Sequence, residues 1–419
     1  MGPILSVEEA RQRILNDFIP VEPEKVHITQ CTGRVLAEDI TSTLDFPHFD
    51  NSSMDGFAVR SVDVNTANKG DPVVLKVIAD IPAGQVSTVS LGTDEAIRIM
   101  TGAPLPAGAD AIVPIEDTDH YHGDRSTQDR LPGKVRIFKG FGRGGFIRPK
   151  GEDIRSGEVV LTKNVRLRPQ DIGLLAMLGI AEVVVFRHPR VALLSTGDEL
   201  IPVDTPLQPG KIHDSNAYTL TAMIIRDGCE VVGLGIAPDR EEAVREIIAS
   251  AIAANADLLL STAGVSVGAF DFVRQVIQKD GNLVFWRVNM RPGKPLAFGH
   301  YRRVPFIGLP GNPVSAFIGY EVFVRPALMK LSGLPEERRQ TVQVKLMEDV
   351  HSDGRESYLR AIVKFKEGRL IAKLTGHQGS GNLRSLVQAN ALLIIPSGVK
   401  SLPVGAEASA WLLDERNNG

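Results

Sequence analysis

The spacing of apolar and polar positions changes three times along this chain. Residues 6–18 have apolar positions at helical spacing, and Ser6 with Glu9 predicts a capping box where that helix begins. Residues 46–148 are rich in Gly, Pro, Val and Ile without a helical period, which predicts a β-rich region. Residues 190–333 alternate strands with helices, as is typical of a doubly wound parallel α/β domain. The remainder predicts a small C-terminal β-barrel or sandwich.

These patterns also predict individual elements with approximate bounds. In the α/β region the strands are VALLST, EVVGLGIAPD, residues 257–261, LVFWRV and PFIGL, and the helices are 217–226, 240–255, 271–279 and 314–331. In the C-terminal region the predicted strands are 340–346, 358–365, 370–375, 391–396 and 406–413.

Three loops rich in small or polar residues follow predicted strands: STGDEL, STAGVSVG and LPGNPVS. Ligands of open α/β sheets bind at the carboxyl ends of the strands. Because the three loops share that edge, the sequence predicts that they converge on one site.

The STAGVSVG loop joins a buried strand to a helix and ends near Asp271. Glycine permits close backbone approach, and a helix N-terminus favours an anion. An acid beside an anion site needs a cation between them, so the loop predicts an anionic ligand held partly through Mg²⁺. A simple strand-to-helix turn with Asp271 near the cap is the alternative. No Walker A sequence is present, which disfavours P-loop NTPase chemistry.

Further acids and cations flank this predicted edge. Asp198 and Glu199 follow a strand, whereas Asp257 precedes one, which makes a catalytic role less natural for Asp257. Arg291 and Lys294 lie on a turn bounded by prolines and suit a phosphate or an oxyanion, although a solvated turn has the same pattern.

The segment GLPGNPVSAF places Pro313 where a helix begins. The amides of Asn312 and Val314 and the Ser315 hydroxyl are then available to an anion. Each charge-assisted hydrogen bond would contribute about 1.5–3 kcal/mol.

Two polar loops lie outside the α/β region: FPHFDNSSMDGFAV, which contains Asp55, and RIMTGAPLPAGADAIVP, which contains Thr101. Their composition fits structured turns as well as functional loops. Residues 117–134 form a polar stretch in which His120 and His122 could suggest a metal, but a solvated hairpin loop is the better interpretation.

Composition narrows the class of protein. The 419 residues predict two to four domains, and 43% hydrophobic with 23% charged residues is ordinary for a soluble globular chain. A net charge of −3 without a basic patch argues against nucleic-acid binding. Two distant cysteines form neither a disulfide framework nor a metal cluster, which favours the cytoplasm, and no membrane segment is predicted.

Taken together, the loops resemble the molybdopterin molybdenumtransferase family, which comprises MoeA and the E domain of gephyrin. The resemblance runs in family order over nearly the whole chain. It is carried by FPHFDNSSMDGFAV, RIMTGAPLPAGADAIVP, RPKGEDI, STGDEL, STAGVSVGAFDF, MRPGKPLAFG, GLPGNPVSAF and TGHQGSGNLRSL.

The resemblance implies an α/β plus β multidomain protein with a MogA-like α/β domain that binds molybdopterin. The expected domains are an elongated one formed by residues 1–45 with 148–187, a β-rich insert at 46–147, the α/β domain at 188–334 and a C-terminal β domain at 335–419. It also implies a homodimer whose site is shared between subunits.

The implied activity converts adenylylated molybdopterin and molybdate into molybdenum cofactor and releases AMP. By motif position, the catalytic set is Asp55, Thr101, Asp153, Glu199, Asp257 and Asp271. The implied substrate contacts are Gly264, Ser266, Gly268, Arg291, Lys294, Pro310, Gly311, Asn312, Ser315, Arg360 and Ser380.

We expect Asp271 and Glu199 to hold Mg²⁺ against the diphosphate of the substrate. Arg291 departs from the lysine that family members often have, and residues 117–134 look longer than expected. An adenylyltransferase that uses ATP and a non-catalytic scaffold are the alternatives; a molybdopterin adenylyltransferase is also a possible docking partner. Molybdate and tungstate are not distinguished by these residues.

Overall fold

A computed structural model describes residues 4–121, 131–263, 272–336 and 339–413. The chain divides into two compact units. We call Met1–Glu38 with Lys163–Gly419 the large unit, and Asp39–Thr162 the insert unit. The finer division into four domains stays a prediction.

The helices predicted at residues 6–18, 217–226, 240–255 and 271–279 are observed with bounds that differ by at most two residues. The helix predicted at 314–331 is observed as two α-helices joined by a π-helix at Tyr320–Val324. Three further helices in the described part of the chain, Ser61–Val64, Pro169–Met177 and Leu383–Gln388, are not predicted from the sequence. Among the described residues, no helix combines the length and the apolar content that crossing a membrane requires. The helices are α1 Val7–Asn16, α2 Ser61–Val64, α3 Pro169–Met177, α4 Ser215–Arg226, α5 Glu241–Ala253, α6 Phe272–Asp280, α7 Pro313–Gly319, α8 Arg325–Leu331 and α9 Leu383–Gln388.

Long strands lie in the α/β sheet, in the C-terminal region and in the insert unit, where Val73–Ile81 spans nine residues. The strands are β1 Pro23–His27, β2 Ile40–Thr41, β3 Asn51–Ser52, β4 Gly56–Val59, β5 Val73–Ile81, β6 Glu95–Ile99, β7 Ala111–Pro114, β8 Lys134–Ile137, β9 Ile147–Arg148, β10 Val159–Leu161, β11 Glu182–Phe186, β12 Arg190–Thr196, β13 Leu200–Ile201, β14 Ile212–His213, β15 Glu230–Ala237, β16 Leu258–Thr262, β17 Gly281–Arg287, β18 Met290–Arg291, β19 Pro295–Tyr301, β20 Val304–Leu309, β21 Thr341–Leu346, β22 Val350–His351, β23 Glu356–Lys366, β24 Arg369–Leu374, β25 Ala391–Ile395, β26 Ser401–Leu402 and β27 Glu407–Leu412.

The structure confirms the capping box predicted at the start of α1. The Ser6 amide donates to Glu9 Oε2 at 2.8 Å, and the Glu9 amide donates to Ser6 Oγ at 3.2 Å. Both bonds satisfy amides that have no partner inside the helix. The buried face of α1 includes Ala10 and Ile14 and packs into the same core as the α/β sheet.

The central sheet of the large unit has the order β15-β12-β16-β20-β19-β17. Strands β15, β12, β16 and β20 are parallel, as predicted. One apolar core contains Leu220 and Met223 of α4, and another contains Val244 of α5 and Val276 of α6. Helices therefore cover both faces, which confirms the doubly wound α/β class.

The predicted parallel arrangement does not extend to one edge of the sheet. Strand β19 pairs antiparallel with β20 and with β17. Tyr301 lies opposite Val304, so only two residues join β19 to β20, and such a short link requires an antiparallel pair. The sequence predicts a turn at Arg291 and Lys294 and no element directly after it, yet Leu296, Ala297 and Phe298 form a buried strand.

The C-terminal strands close into a barrel. Strands β23, β24, β21, β27 and β25 pair in that order, and β25 returns to pair with β23. The closed ring confirms the predicted small barrel, since closure leaves no free edge among its strands. Strand β18 adds to β23 in parallel, with Arg291 opposite Ser357. This pairing brings the Arg291 turn to the start of β23.

The insert unit has a β-rich core, as predicted. Its main sheet has the order β7-β4-β6-β5-β8. Gly56 of β4 lies against β7 so closely that a Cβ there would come within 2.1 Å of the Val113 carbonyl oxygen. Glycine is therefore required at this position by the distance between the two strands.

Candidate active site

A cleft of about 900 Å³ opens at the carboxyl edge of the α/β sheet in the large unit. Residues that follow β12, β16 and β20 line it, together with residues of β23 and of the loop before α9. The three predicted loops therefore meet at one edge, at least in their described parts. The predicted site residues that line the cleft are Glu199, Arg291, Lys294, Pro310, Gly311, Asn312, Ser315, Arg360 and Ser380.

Glu199 lies on the turn that follows β12. Its carboxylate lies over the Gly197 backbone, where a Cβ would be 2.6 Å from Glu199 Oε2. Gly197 has a φ of +145°, a conformation that side chains other than glycine rarely adopt. Both the backbone conformation and the space for Glu199 therefore depend on glycine here.

Arg291 and Lys294 flank the turn between β18 and β19. The Arg291 side chain is 39% exposed, and its Nη1 lies 4.0 Å from Asp353 Oδ2. Asp353 also accepts hydrogen bonds from Arg355, with Nη2 to Oδ2 at 2.5 Å, and this contact holds the pKa of Asp353 below its usual value. Lys294 is exposed, and no carboxylate of the described residues lies within 4.0 Å of its Nζ. The turn therefore presents positive charge to the cleft.

Arg360 is the most unusual side chain of the site, because it has no solvent exposure. Its Nη2 donates to the Gly379 carbonyl at 2.9 Å, and its Nε donates to Ser385 Oγ at 3.1 Å. Nη1 is buried without a hydrogen-bond partner in the described part of the chain. Burial, and secondarily the positive charge of Arg291, lowers the pKa of Arg360 to about 10. Arg360 thus has an unused donor and an uncompensated charge at the wall of the cleft.

The start of α7 forms another wall. Asn312 is the N-cap residue with an extended backbone, and Pro313 occupies the first turn, as the sequence predicts. Ser315 is 3% exposed, and the Val314 amide donates to the Ser380 carbonyl at 3.0 Å. The Val314 amide is therefore already engaged, which leaves the Asn312 amide and the Ser315 hydroxyl for an anion.

Sequence reasoning missed Asp239, which follows β15. Its amide donates to Asp198 Oδ1 at 3.1 Å, and the Asp198 amide donates to Asp239 Oδ2 at 3.3 Å. Burial, followed by the charges of Asp198 and Glu199, raises the pKa of Asp239. An acid directly after a strand, as in GLGIAPD, is the signal that could have indicated this residue.

Asp257 lies away from the cleft. It precedes β16, and its two carboxylate oxygens each accept a hydrogen bond of 2.7 Å from Arg187. Asp257 Oδ2 also accepts from the Arg190 amide at 2.8 Å, where β12 begins. These contacts tie the amino ends of two strands together, so the geometry gives Asp257 a structural role and no reach to the cleft within this unit.

Asp55, Thr101 and Asp153 belong to the insert unit. Asp55 Oδ1 accepts from both the amide and the hydroxyl of Thr101, each at 2.7 Å. Asp153 accepts from Arg148 at 2.5 Å, and this contact raises the pKa of Arg148. Asp55 and Thr101 form one exposed polar pair, while Asp153 is engaged in an ion pair of its own.

Gly264, Ser266, Gly268 and Asp271 lie outside the described residues, as do His122 of the polar loop and its acidic neighbour at 124. The described part of the chain has no group of three or more His, Cys, Asp or Glu side chains that could hold a metal. The predicted Mg²⁺ site at Asp271 and Glu199 therefore stays a prediction.

Three family models match the chain in order. They are the MoeA N-terminal region (domain I and II) at residues 5–179, a probable molybdopterin binding domain at 192–330, and the MoeA C-terminal region (domain IV) at 343–413. The chain is thus matched over most of its length, and the first and last of the three models are both MoeA regions.

Relatives and a solved structure agree with these matches. A molybdopterin molybdenumtransferase of Nostoc sp. is 40% identical, over 97% of this chain and 93% of its own length. One of Bacillus subtilis is 36% identical, over 99% of this chain and 95% of its own length. The crystal structure of the molybdopterin biosynthesis MoeA protein from Pyrococcus horikoshii OT3 is 32% identical, with a TM-score of 0.81, and the match covers 98% of this chain and 100% of that one.

Proposed function

This chain belongs to the molybdopterin molybdenumtransferase family and is a transferase of molybdenum cofactor biosynthesis, and we propose that it acts on adenylylated molybdopterin and molybdate with release of AMP. The observation that carries the proposal is the buried Arg360, whose Nη1 has no partner among the described residues. A buried cation without a paired carboxylate is costly unless an anion completes it. Both proposed substrates are anions.

The charges of the cleft suit these substrates. Molybdate is a dianion, and adenylylated molybdopterin carries a diphosphate, so the two repel each other in the absence of cations. Arg291 and Lys294 offer charge at the mouth of the cleft, and Arg360 offers it at the wall. We propose that Arg360, with Ser380 and the Arg291 turn, holds the molybdate oxyanion beside the molybdopterin.

One described residue of the cleft suits Mg²⁺. Glu199 supplies a carboxylate at the cleft, and Mg²⁺ prefers such oxygen ligands beside phosphate. We propose that Glu199 and Asp271 hold the ion. When bound, it would neutralise the diphosphate and favour departure of AMP. The Glu199 carboxylate lies against the Gly197 backbone, so an ion bound to it would lie on the side of the cleft that the sheet forms.

We further propose a homodimer in which the Asp55 and Thr101 pair of one subunit contributes to the site of the other. Support comes from the family motifs that surround both residues. A molybdopterin adenylyltransferase is a suitable docking partner, because it makes the adenylylated substrate.

The decisive experiment measures AMP release from adenylylated molybdopterin with and without molybdate, in Mg²⁺ and in EDTA. We expect release to require both molybdate and Mg²⁺ and to produce cofactor that reconstitutes a molybdoenzyme lacking it. Tight binding without release would instead indicate a scaffold that has kept the cleft. Synthesis of the adenylate from ATP would indicate an adenylyltransferase, which the full-length relatives do not favour.

A further inference from the structure

A second cavity of the large unit, of about 670 Å³, lies beside the cleft between α4 and the edge of the sheet. We call it the edge groove. Its walls are the β12 side chains Leu193 and Ser195, the glycines of β15 and the first turns of α4. The edge groove and the cleft share Leu200 and Asp214 as lining residues. A ligand with its phosphate in the cleft can therefore extend into the edge groove.

The floor of the edge groove is flat because β15 has glycine at two positions there. A Cβ at Gly233 or at Gly235 would have no atom within 4 Å, so both positions face open space. A register shift of β15 against β12 occurs at this point, and Gly235 has a φ of +81°. The result is bare backbone in place of side chains, over which a planar ring can lie.

Apolar groups form the sides of the edge groove, with a few hydroxyls among them. Leu193, Ala217 and Ile236 supply apolar surface, and Tyr218 at the rim is 55% exposed. Ser195 is 1% exposed, and its Oγ already accepts from Thr262 at 3.2 Å, which leaves its own proton to donate. An apolar slot with isolated hydrogen-bonding groups is typical of a site for a heteroaromatic base.

The acids of the edge groove suit a sugar. Asp198 lines the edge groove. Asp239 lies next to Asp198, because the carboxylate of each accepts a hydrogen bond from the backbone amide of the other. An acid after the second strand of a β-α-β unit is placed to accept from ribose hydroxyls in dinucleotide-binding folds. Strands β12 and β15, joined through α4, form such a unit, and Asp239 follows its second strand.

We propose that the edge groove binds the nucleoside half of a nucleotide, with the base over Gly233 and Gly235 and the ribose at Asp198 and Asp239. This inference rests on the proposed function, because the nucleoside belongs to the adenylylated substrate. The adenosine of the substrate would then lie in the edge groove and its molybdopterin in the cleft. Of the AMP portion, only the phosphate would lie in the cleft.

The test is equilibrium binding of AMP and of ribose 5-phosphate, which differ by the base alone, measured by calorimetry in Mg²⁺. We expect the wild type to bind AMP at least tenfold more tightly than ribose 5-phosphate. Gly233→Leu fills the edge groove from the sheet and should reduce that ratio to less than twofold. Thr221→Phe should do the same from the helix wall, so the two variants test the groove from opposite sides.

Gly173→Leu is the matched control, since Gly173 is an exposed glycine of α3 with open space around its Cβ position. It should keep the wild-type ratio. Equal affinities of the wild type for AMP and ribose 5-phosphate would overturn the assignment, and so would an unchanged ratio in folded Gly233→Leu and Thr221→Phe. If the wild type shows the AMP preference but no molybdate-dependent AMP release, the edge groove stands and the proposed function fails.

Discussion

Replacing Asp257 by asparagine separates a structural role from a catalytic one. Asparagine has nearly the same shape as aspartate, so this substitution changes the charge and the hydrogen bonding. The Asp257 carboxylate accepts two hydrogen bonds of 2.7 Å from Arg187 and one of 2.8 Å from the Arg190 amide. Asparagine keeps one acceptor oxygen, but its NH₂ group replaces the other oxygen and faces the Arg187 guanidinium, which is also a donor. We therefore expect Asp257→Asn to destabilise the large unit while AMP release per folded molecule stays near that of the wild type.

The expected decrease in the free energy of unfolding follows from the burial of the Asp257–Arg187 ion pair. The side chains of Asp257 and Arg187 are 16% and 25% exposed. A fully buried pair that loses one partner costs about 3–5 kcal/mol, and an exposed pair about 0–1 kcal/mol. One lost charge-assisted bond at this depth then costs about 2–4 kcal/mol. This corresponds to a decrease in Tm of roughly 5–10 °C.

The control is Glu22→Gln, because Glu22 pairs with the same Arg187 but is 79% exposed. It should lower the free energy of unfolding by less than about 1 kcal/mol. The assay is thermal unfolding followed by circular dichroism, combined with turnover of protein that is shown to be folded. Wild-type stability together with a large loss of turnover in Asp257→Asn would refute the structural role.

Three further changes test other parts of the molecule. Thr101→Val removes one of the two bonds to Asp55, so we expect molybdate-dependent AMP release to fall about tenfold or more, while Thr101→Ser retains activity. Arg360→Met should raise the KM for molybdate at least about tenfold and leave AMP affinity within twofold, as steady-state kinetics and calorimetry would show. Burial raises the pKa of Cys229 to about 12, so the folded thiol keeps a proton that the unfolded thiol loses near pH ~8.5. Cys229 should therefore lower the free energy of unfolding by up to ~1.4 kcal/mol per pH unit above that point, and Cys229→Ala should reduce the slope in denaturant titrations at pH 8 to 10.

Much of the fold could be predicted from local pattern. The capping box at Ser6 and the five barrel strands carry signals that depend on near neighbours, and the structure confirms them. Strand β19 could not be recognised in the same way. Its buried run from Leu296 follows a turn with two prolines and two cations, and those residues masked the change from turn to strand. Burial on both faces also leaves no alternation that would indicate a strand.

The site shows the same division between local and distant information. A strand in a parallel sheet has direction, so an acid before the strand and an acid after it lie at opposite ends. Asp257 precedes β16 and meets Arg187, whereas Asp239 follows β15 and meets Asp198. Strand direction therefore predicts the position of both residues. Their partners do not follow from the sequence. Arg187 is 70 positions from Asp257 and Asp198 is 41 positions from Asp239, and both contacts depend on how the strands pair.

Arg360 connects the sequence most directly to function. In YLRAIV a single cation interrupts an apolar strand, and the structure buries it completely among carbonyl and hydroxyl acceptors. Neutral acceptors satisfy hydrogen bonds but not charge, and no carboxylate of the described residues lies within 4.0 Å to do so. The fold therefore holds an unsatisfied cation before any ligand arrives, and its lowered pKa reflects that cost. An anion that reaches Nη1 relieves it, so the energy spent in folding is recovered as affinity for an oxyanion.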